Sequence, residues 1–310
     1  MKRLPPVVIA VILNVLSACS AFGLQVPGPL VSTKWLQSHL SDKNLVVIDL
    51  RSDKDQDDYK KGHIPGARFF AWEDVRAESV SQEGTSLDYA IPPTAEFEKR
   101  IRELGVQKDS SVVIASTWEN PANAAMATRL YWTLKYYGAS SIAVLDGGTA
   151  SWIVEKLKIE AGSVTPASGN FRAKGKDESI RITAPAVLKA VENKTAQVVD
   201  ARTPDFFSGE KKKDYVAASG HIPNAVNIPM SELLDPATKQ LKSASRLKEL
   251  FLSKGITPDR PVIVYCDSGH LSTFTWFALK EVSGYPDVRQ FDSSLHEWTK
   301  KPTRPMVLGK

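Results

Sequence analysis

The stretch VIVYCDSGHLSTFTWF, Val262–Phe277, holds Cys266, one of two cysteines in the 310-residue chain. Val262–Tyr265 is a short continuous apolar run, the pattern of a strand buried on both faces. Asp267–Ser272 follow as a loop, and a helix is expected to enter near Ser272 or Thr273. Gly269 can take a positive φ and curl that loop. Curled, its successive N–H groups converge on the sulfur as an anion nest, and the helix N-terminus adds its partial positive charge. Both effects favour thiolate over thiol. A residue placed beyond the carboxyl end of a strand is where open α/β sheets bind ligands.

Outward from this stretch the chain repeats itself. NLVVIDLR (Asn44–Arg51), GHIPGA (Gly62–Ala67), SVVIAS (Ser111–Ser116) and VLDGGTASW (Val144–Trp152) recur in order as QVVDAR (Gln197–Arg202), GHIPNA (Gly220–Ala225), PVIVYC (Pro261–Cys266) and QFDSSLHEW (Gln290–Trp298). Asp49 lies 67 positions before Ser116, and Asp200 lies 66 before Cys266. Equal order at near-equal spacing marks a duplicated unit. Apolar strand runs alternate with helical segments in each half. Thr94 is expected to N-cap a helix reaching Leu104, and Ala125–Gly138 reads as an amphipathic helix closed by Gly138. The expected fold is α/β, with two tandem domains, each a parallel sheet flanked by helices. Residues 30–160 form the first domain, without a catalytic cysteine. Residues 161–180, rich in Gly, Ser and charge, form a linker. Residues 181–302 form the second, catalytic domain.

The amino terminus gives an address. Met1-Lys2-Arg3 is basic, Val7–Val15 is almost wholly apolar, and Leu16-Ser17-Ala18-Cys19 ends the run. The run is too short to span ~30 Å of hydrocarbon and reads as a signal peptide over residues 1–18. Leu-Ser-Ala-Cys resembles a bacterial lipobox, which implies cleavage before Cys19, lipidation of its thiol and, with Ser20 following, outer-membrane anchoring in the periplasm of a Gram-negative bacterium. Ordinary signal cleavage near Ala21 is the alternative. On the lipobox reading Cys266 is the only thiol of the mature chain, and membrane contact is through the lipid alone. The net charge is +5, or +3 without Lys2 and Arg3, and the sequence shows no aromatic–basic stripe that would suit nucleic acid. No His, Cys or carboxylate spacing suggests a metal site, and no cofactor is implied.

With these motifs in place, the chain resembles the rhodanese superfamily, specifically tandem-domain sulfurtransferases of the thiosulfate and 3-mercaptopyruvate type, over about Val31–Trp298. The resemblance implies catalysis by Cys266: the thiolate takes sulfur from a small anionic donor, and a thiophilic acceptor (cyanide, a thiol or a protein) removes it. Asp267, Ser268, Gly269, His270, Leu271 and Ser272 would form the cradle. Ser116 occupies the corresponding place in the first domain, and STWENP (Ser116–Pro121) lacks the glycine of a cradle. Ser268 matches the mercaptopyruvate type. Where the family places a substrate-binding Arg stands Phe206, so His270, Arg202 and Lys213 are the candidate anion contacts. A protonated His270 would give a bell-shaped pH profile. The alternative is a non-catalytic sulfur-carrier or binding module. A phosphatase or arsenate reductase of the related fold would need an Arg after the cysteine, and Asp267–Thr273 has none. Asp49 and Asp200 are expected to brace strand ends with Arg51 and Arg202, while His63 and His221 satisfy backbone groups in their turns.

Overall fold

A computed structural model describes residues 24–309; Cys19 and the signal region lie outside them. The strands of the first half are β1 (Leu30–Val31), β2 (Leu45–Arg51), β3 (Arg68–Ala71), β4 (Ala77–Val80), β5 (Ser86–Ala90), β6 (Ser111–Ser116) and β7 (Ile142–Leu145). Those of the second half are β8 (Arg181–Ile182), β9 (Gln197–Asp200), β10 (Ala225–Asn227), β11 (Val262–Tyr265) and β12 (Val288–Phe291). Two five-stranded sheets result, ordered β1-β7-β6-β2-β3 and β8-β12-β11-β9-β10 when both are read from the same edge. Every pair within them is parallel. The duplicated sequence therefore builds the same sheet twice. β2, β6 and β11 are buried along their whole length, as apolar runs covered on both faces require.

The halves meet through two helices. Pro121–Tyr136 of the first packs against Leu271–Phe277 of the second, and Thr128 Oγ1 touches Thr273 Oγ1 at 3.1 Å. This contact explains two departures from expectation. The first-domain helix starts four residues earlier than Ala125, with Asn120 as N-cap accepting from the Asn123 N–H at 3.0 Å and Pro121 in its first turn. It is also buried almost all round rather than amphipathic, because a sheet lies on one side and the partner helix on another. Thr94 is already helical, and Pro93 takes the N-cap position.

The antiparallel β4–β5 hairpin belongs to the first half alone and reaches over the second. The Ile91 N–H donates to Asp292 Oδ2 at 3.1 Å, and Lys300 Nζ donates to the Ser86 carbonyl at 2.6 Å. The reciprocal bond runs the other way: the Leu241 N–H donates to Asp146 Oδ1 at 3.1 Å. Residues 161–180 are not a free tether. Phe171 is buried in the first core, the Gly169 N–H donates to the Arg102 carbonyl at 2.8 Å, and the Ala173 N–H donates to Glu98 Oε1 at 2.9 Å.

Candidate active site around Cys266

Cys266 follows β11 directly and is 1% exposed. Its own N–H donates to Ser294 Oγ at 3.0 Å, while Ser294 Oγ donates to the Phe291 carbonyl at 2.8 Å. Ser294 holds a φ of 51°, a left-handed conformation that costs a non-glycine residue energy and places its hydroxyl under the cysteine. The helix begins at Leu271, with His270 at its N-cap, so the loop proper is the four residues Asp267–His270 rather than six. Gly269 has a φ of +71°, and a Cβ there would lie 1.7 Å from the Asp292 carbonyl oxygen. Only glycine fits this approach. Among the described residues no acceptor is bonded to the N–H groups of Asp267, Ser268, Gly269 or His270. Those donors, with the first turn of the helix, are left for an anion.

The sulfur has one side-chain hydroxyl against it. Ser272 Oγ lies 3.4 Å from Cys266 Sγ, and Gln290 Nε2 donates to Ser272 Oγ at 2.6 Å. The amide nitrogen of Gln290 also faces the carbonyls of Gly269 and Phe291, each at 3.5 Å, which sets the amide's orientation. With its lone pair engaged by Gln290, the Ser272 hydroxyl points its proton at sulfur. Gln290 went unrecognised in the sequence; its signal was a polar residue at an otherwise apolar strand position next to β11.

The remaining candidates separate. Arg202 is 2% exposed and fully engaged, pairing with Asp200 at 2.7 Å, Asp267 at 3.3 Å and the Gly220 carbonyl at 2.7 Å. It has no free edge for substrate, so its assignment as an anion contact is withdrawn. The same network turns the Asp267 carboxylate toward Arg202. Burial raises the Asp267 pKa, and Arg202 opposes that rise. His270 as a whole is half-buried, and its Nε2 is buried without a partner among the described residues. Burial, then the charges of Arg76 and Arg129, push its pKa down to about 3. A cationic His270 is therefore corrected to a neutral one, its ring tilted against that of Trp72 with centroids 4.2 Å apart. Lys213 is exposed, its Nζ 5.5 Å from the Phe206 ring centroid, and its charge acts on Asp267. Leu271 is half-buried and packs on the core shared by the halves.

The turn histidines and strand-end pairs lie outside this cradle. His63 Nδ1 meets the Tyr59 carbonyl at 3.0 Å and His221 Nδ1 the Phe207 carbonyl at 2.9 Å. Arg51 binds Asp49 through two bonds of 2.8 Å. A first-domain arginine braces the cradle instead. Arg129, wholly buried on the interdomain helix, donates to the Gly269 carbonyl at 2.9 Å and pairs with Asp292.

A thiol that is the only one among the described residues, seated in a curled loop at a strand end in one copy of a duplicated parallel sheet, defines a two-domain α/β protein whose chemistry is that of a sulfur nucleophile. The comparisons with known proteins give the family. The Rhodanese-like domain profile matches residues 32–155 and again 183–301. The chain belongs to the rhodanese family, in its tandem-domain sulfurtransferase branch. It is 32% identical to the 3-mercaptopyruvate sulfurtransferase of Escherichia coli K12, over 89% of this chain and 96% of that protein. It is 34% identical to the sulfur carrier protein TtuD of Thermus thermophilus, over 92% of this chain and 98% of that protein. The crystal structure of the Escherichia coli 3-mercaptopyruvate sulfotransferase SseA superposes with a TM-score of 0.74 at 31% identity, covering 86% of this chain and 98% of that one.

Proposed function

We propose that the protein transfers a sulfane sulfur through a persulfide on Cys266. The Cys266 thiolate attacks the outer sulfur of the donor and a new S–S bond forms. With thiosulfate the donor's S–S bond breaks and sulfite leaves. With 3-mercaptopyruvate the C–S bond breaks, its electron pair passes to the pyruvate enolate, and the thiol proton ends on that carbon. A thiophilic acceptor then attacks the outer sulfur and restores the thiolate. The observation that carries this reading is the pairing of a buried sulfur with unbonded loop N–H groups and the Ser272 hydroxyl at 3.4 Å. These donors suit an anion on sulfur, whether thiolate or terminal persulfide.

The test is intact mass after exposure to each donor, followed by turnover with cyanide. A gain of one sulfur that Cys266→Ser abolishes, together with thiocyanate production, supports transfer. The near-complete burial of Cys266 favours a second reading, a carrier that loads sulfur but passes it only to a protein partner. Loading without cyanide turnover would select it. No gain in mass with either donor would sink both.

We further propose export and lipid anchoring at Cys19, on the strength of Met1–Cys19 alone. Incorporation of labelled palmitate in a Gram-negative host, lost in Cys19→Ala, is the expected result. Unlabelled wild type would refute it.

A further inference from the structure

Arg76 lies between β3 and β4 of the first domain, just before the hairpin that crosses to the second. Its guanidinium carbon is 4.3 Å from the Trp72 ring centroid and 5.1 Å from that of Tyr89. Each ring leads to one side of the Cys266 loop. Trp72 meets His270 at 4.2 Å in a tilted pair, and Tyr89 meets Tyr215 at 4.9 Å. Tyr215 in turn bears on Ser268 and Cys266. The guanidinium is thus tied to the loop through two aromatic faces, and its charge acts on His270. Among the described residues it forms no ion pair and no side-chain hydrogen bond, and its Nε is buried without an acceptor. Every other arginine near the cradle is engaged: Arg129 by Asp292, Arg202 by Asp200 and Asp267.

A half-buried cation that only the more distant Glu73 offsets, with no ion-pair partner, is costly, and an incoming oxyanion reduces that cost. Burial and the neighbouring charge of Arg129 both act against the Arg76 cation, the situation an anionic ligand relieves. The fork of N–H donors matches the geometry of a carboxylate or of sulfur-bound oxygens.

We propose that Arg76, from the domain without the thiol, receives the oxyanion of the sulfur donor while its sulfur is presented to Cys266. This assignment rests on the sulfur-transfer reading above. It makes the donor site a joint property of the two halves, with Phe206 where the second domain alone would have supplied a cation.

The experiment compares wild type, Arg76→Gln and Arg76→Lys with two sulfur donors, 3-mercaptopyruvate and thiosulfate, and with a neutral thiol-reactive probe, a dialkyl trisulfide. Arg76→Gln should raise KM about tenfold for both anions and leave kcat within about twofold; with the trisulfide, from which the Cys266 thiolate displaces an alkyl perthiolate to end as a mixed disulfide read by its alkylthio gain in mass, it should react at the wild-type rate. Arg76→Lys should recover part of the loss, because the charge returns without the fork. The two anions differ in shape, so the one with the larger KM increase in Arg76→Gln is the one the fork grips. Anionic-donor KM values within about twofold of wild type would overturn the assignment, as would an equal slowing with the trisulfide, which would mark Arg76 as a prop for the rings. Wild type that takes sulfur from neither anion would instead remove the sulfur-transfer reading and this assignment with it.

Discussion

Two loops at equivalent places, Ser116–Asn120 and Cys266–His270, leave the central strand of each sheet and enter the two helices that meet at Thr128 and Thr273. The first puts a serine where the second puts a thiol, and the Ser116 hydroxyl is buried without a partner. Trp118 fills the first loop, at a φ of 54°, and is 5% exposed. The second loop carries Gly269 instead and leaves its N–H groups open. Because Thr128 and Thr273 are matched, so are the residues after them. Arg129 reaches the Gly269 carbonyl, whereas Phe274 packs on Trp118 at 6.0 Å. The same framework thus holds one loop open for an anion and closes the other with rings.

The largest test of this contrast moves the thiol. Cys266→Ser should lose all sulfur loading and turnover, since a hydroxyl is a far weaker nucleophile at neutral pH. Ser116→Cys should add a thiol that takes none, so intact mass after donor treatment should rise by one sulfur and not two. Two sulfurs would show that the tryptophan-filled loop is as competent as its partner.

The aspartates that clamp the halves together should part company next. Asp292 pairs with buried Arg129, whereas among the described residues Asp146 has no cation against it, and burial raises its pKa to about 6. Asp292→Asn strands a buried guanidinium and should cost about 3–5 kcal/mol in denaturant unfolding. Asp146→Asn should change stability at pH 7 by less than about 1 kcal/mol or increase it. The pH dependence separates them further. A carboxyl whose folded pKa lies above its unfolded value contributes stability at low pH, lost as pH rises through that interval. For Asp146 the interval runs from the ordinary carboxylate range up to about 6, and Asp146→Asn should lack that decline. Equal losses from both substitutions would make the clamps equivalent.

A smaller effect is expected from the hydroxyl on sulfur. Ser272→Ala should slow loading about tenfold, as loss of a bond to a charged group predicts. Gln290→Leu should slow it less, since the hydroxyl remains but is no longer directed. If Gln290→Leu were the more damaging, the amide would act on the loop through Gly269 rather than through Ser272. The smallest effect belongs to His270. With its pKa pushed down to about 3 it stays neutral, so His270→Asn should leave the pH profile of kcat/KM between pH 5 and 8 unaltered. An acidic limb that disappears in His270→Asn would restore the cationic reading.

The fold was legible because its signals are repetitive. Four motifs in the same order required two sheets, and the sheets share one strand order. The seat of Cys266 was legible because a strand, a glycine and a helix in succession leave few ways to turn. What escaped notice crosses between distant parts of the chain. Arg129, Arg76 and Trp72 act on a loop more than a hundred residues away, and no local pattern announces it. His270 misled for the same reason: its surroundings are supplied by Trp72, Arg76 and Arg129, so a loop position that looked exposed became a neutral ring packed against an indole. Helix boundaries shifted by a few residues where interdomain packing set them.

The bond from Arg129 to the Gly269 carbonyl has a consequence for inheritance. A duplicated unit that lends a side chain to its twin's reacting loop can lose its own reactive atom without harm, yet the unit itself can no longer be dropped. Selection would then police the silent half as strictly as the working one, at its interdomain helix and the rings beside it more than at its own closed loop. Any shuffling event that joined the second half to a different neighbour would carry the thiol along and leave its brace behind.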